Sequence, residues 1–586
     1  MSGNDLLWAH GEPKGGLDIS LAAEDLELNR LCMLLFPTLG TEGALPFADS
    51  LLTDDGETIR MRQDAIRELL AHPALADRLE RLLQALNGIE TAYRGLLDNP
   101  VGLRVTRMDA VMDSVKKAVI RLERNISQQA ADIREENAAD NRYAQLLRYT
   151  LFRRQLAARY AEELTCLRDE LKRDPCSSKP LRELARWAED CAARDNIEQT
   201  LEVLRRLDAE WKGIGAFAID VCLDSRRIVV GLEVAEIRPE PYAQQGMLEG
   251  AGTSAPRDGI TSLMSFPQNG SGTLFQEYLL SQVGYEARGQ LTKLRDALAK
   301  LPLSGVEELL SFREALRFYT GAAAFCRKLR DRGSALAAPS ISEETTFCFR
   351  AARLPEQTCT GVLPVPNDLT LDPGGSILMT GPNSSGKTCC LIMAGQLLFL
   401  GQLGCLIPAE DGTFSPRDRL LTLFAAGESK TGEDSRMGME VQRIRLLRSL
   451  MTPRSLLLLN EPMTSTSAAE GAQICVDLLT DLAKQGVPAI LVTHFNHIWP
   501  DLKAAFAAQG LSERLHSLVM TALETPAGIQ YLYKLEEAPP PPSSHARAVV
   551  AEKGLRLEDM LFYLHARGLD VRPEDPGWEQ IRRGIL

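Results

Sequence analysis

A chain of 586 residues is too long for a single hydrophobic core and calls for three or four domains. Its 66 Lys and Arg against 79 Asp and Glu give a net charge of −13, which excludes a uniformly basic nucleic-acid coat and confines any DNA contact to a local patch. The twelve cysteines show no C-x-x-C spacing, the N-terminus has no basic-then-apolar leader, and no apolar run is long enough for a bilayer, so a reduced, cytoplasmic protein with no membrane partner is expected.

Residues 1–120 read as helical: from about Leu17 to Pro100 apolar positions recur at gaps of three and four, as in Leu79, Leu82, Leu83, Leu86, Ile89, Tyr93 and Leu96. Region 121–340 continues with charge-rich helices to about Arg173 and from Leu181 to Trp211, broken by the turn-like stretch Asp174 to Pro180. A β-rich island at 215–240 follows, with runs Ala216 to Leu223 and Arg227 to Ile237 joined hairpin-fashion by Asp224 to Arg226. Residues 244–272, rich in Gly, Ser, Pro and Gln, read as a flexible loop, after which helices resume from about Leu274 to Arg332. In 341–538 the apolar strand candidates Ile377 to Thr380, Leu456 to Leu459 and Ala489 to Thr493 alternate with helices, the pattern of a mainly parallel sheet. Four prolines, Pro539 to Pro542, then precede a small helical piece over 543–586.

One stretch of the long helices mixes cations with aromatics. Between Asn141 and Ala161 stand Arg142, Arg148, Arg153, Arg154 and Arg159, with Tyr143, Tyr149, Phe152 and Tyr160 interleaved and no acidic residue. Such a set can follow a phosphate backbone and stack on bases. Helical geometry, however, puts Arg142 with Arg153 on one side and Arg148 with Arg159 on another, so no single stripe forms. A solvated lever helix and a DNA-facing stalk both fit.

The chemistry concentrates at GPNSSGKT, comprising Gly381, Pro382, Asn383, Ser384, Ser385, Gly386, Lys387 and Thr388. Apolar residues 377–379 before it and a helix-forming run after it make a strand, a glycine-rich turn and a helix. In that context unpaired backbone N–H groups cradle a triphosphate, Lys387 reaches its terminal phosphates and Thr388 offers a hydroxyl to Mg²⁺. The buried-strand run Leu456 to Leu459 ends in Asn460 and Glu461, where phosphate-loop enzymes place an Asp on the metal and a Glu on the attacking water. Asn460 carries no charge, so weak, indirect Mg²⁺ contact is expected while Glu461 keeps the base. His494, directly after the third strand, would stand at the carboxyl edge of the sheet and sense the γ-phosphate.

These residues resemble the MutS family of mismatch-repair ATPases, a branch of the ABC-type ATPases. The likeness runs through Pro366 to Leu369, the loop itself, Ile407 to Glu410, Ser415 to Arg419, Ser435 with Glu440, Asn460 to Ser467, Val492 to Phe495 and Tyr531 to Leu535. Upstream, Leu51 to Leu70 with the Arg62–Gln63 pair is similar to the family's helical core. The resemblance implies a mixed fold: an all-α core and lever region with a small, reduced clamp-like β island, then an α/β ABC-type P-loop ATPase domain and a C-terminal helical dimerisation element at 543–586. It also implies a homodimer with composite ATP sites, in which Ser435 touches the γ-phosphate held by the other subunit and Ser465, Thr466 and Ser467 form the dimer-crossing loop. The family's N-terminal mismatch-reading domain is not expected here, because the core-like pattern begins near residue 17. Phe275 and Glu277 fit the family's Phe-x-Glu wedge but lie in the wrong part of the chain and read as coincidence. Three functions remain open: an ATPase that controls binding to mismatched or branched DNA, a dimer scaffold for which ATP is glue and hydrolysis is vestigial, and, behind these two, helical arms that grip a protein or RNA partner.

Overall fold

The computed structural model describes residues 2–13, 15–98, 129–173, 176–211, 216–223, 229–238, 280–281, 283–285, 287–424, 436–525 and 528–541. The loop expected at 244–272, the Phe275–Glu277 pair, Ser435 and the terminal element at 543–586 lie outside them. The chain divides into two units, one built mainly from residues 74–177 and 181–316, the other from 7–73 and 317–586. The fold is mixed α/β. No single described helix is long and apolar enough to cross a membrane.

The first unit is a helical assembly of α1 (Pro73–Asp98), α2 (Gln129–Arg173), α3 (Lys179–Arg194), α4 (Ile197–Trp211) and α5 (Arg288–Ala299). Leu204 and Leu207 of α4, Leu294 and Leu298 of α5 and Ala157 of α2 close one apolar cluster, so the 3.6-residue periodicity read from the sequence is what the helices bury. Asp195, fully buried at the end of α3, accepts hydrogen bonds from the Tyr160 hydroxyl at 2.7 Å and the Gly305 amide at 3.1 Å, which satisfies a charge that burial would otherwise penalise. The β island is an antiparallel pair, β1 (Ala216–Leu223) with β2 (Val229–Arg238), whose register is shifted at two points.

In the second unit the strands are β3 (Ser340–Ile341), β4 (Phe347–Ala352), β5 (Asn367–Leu371), β6 (Ser376–Thr380), β7 (Asp411–Phe414), β8 (Leu420–Phe424), β9 (Leu456–Asn460), β10 (Ala489–Val492), β11 (Leu515–Thr525) and β12 (Gly528–Glu537). Six of them form a sheet in the order β12-β11-β6-β10-β9-β8, parallel throughout except for the β11–β12 pair. Every residue of β6 and β10 is buried, which explains why these strands read as unbroken apolar runs rather than alternating ones. A second sheet, β3-β7-β4-β5, is mixed.

Three helices matter for the site: α6 (Lys387–Leu403), α7 (Arg436–Leu450) and α8 (Ala468–Lys484). Helix α6 is apolar on nearly all sides and is buried along almost its whole length, as a helix enclosed on every face must be. Leu479 and Val476 of α8, with Phe495, Leu502 and Phe506, pack against Leu378, Leu457, Leu459 and Leu491 on the other face of the sheet. Because β6, β9 and β10 are parallel neighbours, their carboxyl ends come together, and with them the turn after β6, Asn460 and Glu461 after β9, and Thr493 and His494 after β10.

Candidate functional site

The turn after β6 is held open by two glycines. Gly381 has φ 139°, and a Cβ there would lie 2.8 Å from the Met520 side chain and 2.9 Å from its carbonyl, so only glycine lets the chain pass that close to β11. Gly386, at φ 97°, stands in the left-handed region immediately before α6. Lys387 opens the helix, and its ammonium folds back over the loop to donate to the Gly381 and Pro382 carbonyls, each at 2.9 Å. Burial holds its pKa below the usual lysine value, an effect partly offset by the nearby Glu461 carboxylate.

Two hydroxyls on the loop fit a phosphate and a metal. Ser385 Oγ is buried without any hydrogen-bond partner, a donor that a phosphate oxygen would satisfy. Thr388, exposed, donates from Oγ1 to Asn460 Oδ1 at 3.2 Å. The pair predicted to reach Mg²⁺ is therefore already in contact, with a neutral amide where a carboxylate would supply charge. Among the described residues no group of three His, Cys, Asp or Glu side chains could hold a metal alone. An ion here would take its remaining oxygens from the triphosphate and water, as Mg²⁺ usually does.

Glu461 leaves β9 with φ 50°, a left-handed conformation unusual for a residue with a side chain, while its amide is fixed to the Val492 carbonyl at 2.8 Å. Its carboxylate lies 4.0 Å from His494 Nδ1, and the imidazole rests on the Phe495 ring with centroids 4.3 Å apart. Lys387, Glu461 and His494 thus converge on one edge. Ser465 and Thr466 lie on the surface loop after Met463: Ser465 Oγ donates to Glu440 Oε2 of α7 at 2.6 Å, and Thr466 donates to Glu470. Ser467 caps α8, its hydroxyl accepting from the Glu470 amide while donating to the Glu470 carboxylate, which fixes where the loop ends.

Tyr533 belongs to the Tyr531 to Leu535 stretch that carries the family likeness, but the sequence assigned it no role at the site. It has φ 55°, is 46% exposed, and its ring edge would stand 3.4 Å from a Cβ on Gly386, at the mouth of the loop. Asn367 holds this part of β12 in place, donating to the Tyr533 carbonyl at 2.9 Å and accepting from the Leu535 amide at 2.7 Å. Val362, Leu363 and Val365 are exposed, and their segment is tied to β12 where Asn367 also donates to the Val365 carbonyl at 3.2 Å and the Lys534 ammonium donates to the Pro366 carbonyl. The register of β11 and β12 shifts between Leu535 and Tyr531, so regular strand alternation does not place the Tyr533 ring.

Of the five arginines of α2, three make contacts within their own unit. Arg153 donates to the Leu298 and Leu301 carbonyls and is mostly buried, which lowers its pKa; Arg154 pairs with Asp208 at 2.6 Å; and Arg159 lies over Gly88 of α1. Arg148 is half-buried, and the side chain of Arg142 lies outside the described residues. Arg153, Arg154 and Arg159 are thus engaged with other helices of their own unit.

A family model described as MutS domain V matches residues 377–554. Curated proteins named DNA mismatch repair protein MutS are similar over part of the chain. That of Porphyromonas gingivalis is 26% identical over 48% of this chain and 31% of its own length, and that of a Caulobacter species 30% identical over 44% and 31%. The DNA mismatch repair protein Msh6 of Gallus gallus is 28% identical over 30% of this chain and 14% of its own. The matched part spans less than a third of the length of each of these relatives.

Proposed function

This chain is a MutS-family protein by its domain V, and from that premise we propose that it is an ATPase whose nucleotide cycle, run at composite sites in a homodimer, controls binding to distorted DNA. The observation that carries the reading is the convergence of the phosphate loop, Thr388 with Asn460, and Glu461 with His494 at the ends of three adjacent parallel strands. The loop amides and Lys387 bind the β- and γ-phosphates and hold the charge that builds on the leaving oxygen. Mg²⁺, when bound, would neutralise phosphate charge between Thr388 and Asn460. Glu461 orients the attacking water, and His494, within reach of Glu461, reads whether a γ-phosphate is present. Tyr533 offers its ring to the base at the mouth of the loop. Ser435 and the loop of Ser465, Thr466 and Ser467 are assigned to the dimer contact. The DNA partner is proposed from the names of the relatives, with α2 and its arginines as a weaker candidate surface.

The uncharged Asn460 favours a second reading, in which ATP binds and joins two subunits but is scarcely hydrolysed. Steady-state turnover and sedimentation with and without ATP separate the two. Turnover that is abolished in Lys387→Ala and in Glu461→Gln, with ATP-dependent dimerisation retained in Glu461→Gln, supports the first. A wild-type rate equal to that of Glu461→Gln supports the second. Failure of wild type to bind ATP at all overturns both.

A further inference from the structure

In the helical unit, the end of α2 and the start of α3 line an open cavity of about 370 Å³ whose wall is mainly cationic. Arg168 and Lys172 stand one turn apart on α2, and Arg182 and Arg186 one turn apart on α3; Glu189 is the one carboxylate among the described lining residues, and Cys176 lies between the helices. Like charges at this helical spacing repel, so each pair destabilises its own helix unless an anion relieves it. Lys172 is engaged with Glu189 at 3.5 Å, and Arg168 is steadied from behind by Asp169 at 2.9 Å and Glu198 at 3.5 Å. Arg182 makes a 3.3 Å bond to the Ser177 carbonyl, and neither it nor Arg186 has a carboxylate within ion-pair distance among the described residues. Two exposed guanidinium groups therefore face a cavity with their charge unanswered.

We propose that this cavity is a binding site for a small phosphorylated ligand, a phosphate monoester or diphosphate no larger than a mononucleotide. Its volume lies at the lower end of the range of about 300–1,000 Å³ typical of small-molecule sites. Arg182 and Arg186 present planar forks suited to two phosphate oxygens each, Lys172 adds a point charge, and Leu171 and Ala185 give the rest of the ligand an apolar floor. The surroundings select against a polymer. Asp169, Glu170, Glu183 and Asp190 are sequence neighbours of the cations on the same two helices, so the helices carry charge of mixed sign rather than the continuous positive strip that a polyanion needs. A compact anion meets the cationic wall, in which the Glu189 carboxylate is already paired with Lys172.

The test uses the full chain carrying Lys387→Ala, which silences the nucleotide loop, with inorganic pyrophosphate and AMP as probes in calorimetric titrations. One site is expected for a probe, weakened at least about tenfold by Arg182→Ala with Arg186→Ala and partly restored when both are lysine, since lysine keeps the charge but loses the fork. Cys176 gives a local readout: the bound probe slows its alkylation, followed by mass spectrometry, while the exposed Cys166 reacts at an unchanged rate. Circular dichroism establishes that the double alanine variant is folded; should it not be, the Cys176 protection in the parent decides. The proposal is overturned if neither probe binds or protects Cys176, if the double variant binds them undiminished, or if a single-stranded oligonucleotide alone binds in an Arg182-dependent way.

Discussion

Asn460 is the residue on which the two functional readings divide. Its Oδ1 accepts from Thr388 at 3.2 Å, so the geometry of a metal site is present and the charge is missing. Asn460→Asp keeps the acceptor and adds a full negative charge beside the position of a divalent ion. The Mg²⁺ concentration for half-maximal nucleotide binding should fall about tenfold, a coulombic gain of about 1.4 kcal/mol. An unchanged Mg²⁺ dependence, read by titration against a fluorescent ATP analogue, would place the metal elsewhere. The loop itself was legible because chemistry fixes its letters: Gly381 and Gly386 are demanded by close approach and left-handed φ, and Lys387 and Thr388 by phosphate and metal. Tyr533 was not, because its left-handed backbone and its place beside Gly386 depend on how β12 folds against β11, and no local pattern encodes that.

Helix α6 carries the loop at its start, and its far end is governed by a side chain more than three hundred positions earlier in the sequence. Arg62, on the helix Gly56–Ala71, is fully buried and donates to the Leu403 carbonyl at 3.1 Å, to Leu51 at 2.6 Å and to Leu7 at 3.0 Å, with Trp8 stacked 4.4 Å away. A cation at the C-terminus of α6 complements the helix dipole, whose positive end faces the phosphate loop. Burial pushes the Arg62 pKa down to about 10, which leaves it charged at neutral pH. Arg62→Ala strands three carbonyls and opens a void, so the second unit should lose about 3 kcal/mol or more at roughly 1.5–3 kcal/mol per charge-assisted bond. Urea unfolding measures this, and a loss below about 1 kcal/mol would mean that water replaces the guanidinium. Sequence reading marked Arg62 only as part of a family pattern, since a buried cation capping a distant helix has no local signature. Strands β6, β9 and β10 were readable as apolar runs, whereas the short strands of the second sheet, half exposed and shifted in register between β4 and β5, were not.

At the scale of the whole molecule, the second unit contains six buried thiols with raised pKa values: Cys32, Cys326, Cys390 and Cys475 at about 12, Cys359 at about 11, and Cys405 well above its ordinary value, in each case chiefly because burial penalises the thiolate. When the unit unfolds, these groups return to a pKa near 9 and ionise more readily than in the folded state. Above pH 9 the folded form therefore binds more protons than the unfolded one, and stability must fall as pH rises. The contribution is fully present below pH 9 and is lost between about 9 and 12, at about 1.4 kcal/mol per pH unit for each thiol. The urea midpoint of this unit should thus be flat with respect to these groups from pH 7 to 8.5 and drop steeply by pH 10. Lysine and tyrosine titrate in the same range, so the decisive comparison is with Cys390→Ala plus Cys475→Ala, which removes two of the six and should flatten the thiol-dependent slope by about a third. If the double variant and wild type lose stability in parallel, the thiols are already ionising in the folded protein and the core around α6 and α8 is more open to water than its packing implies.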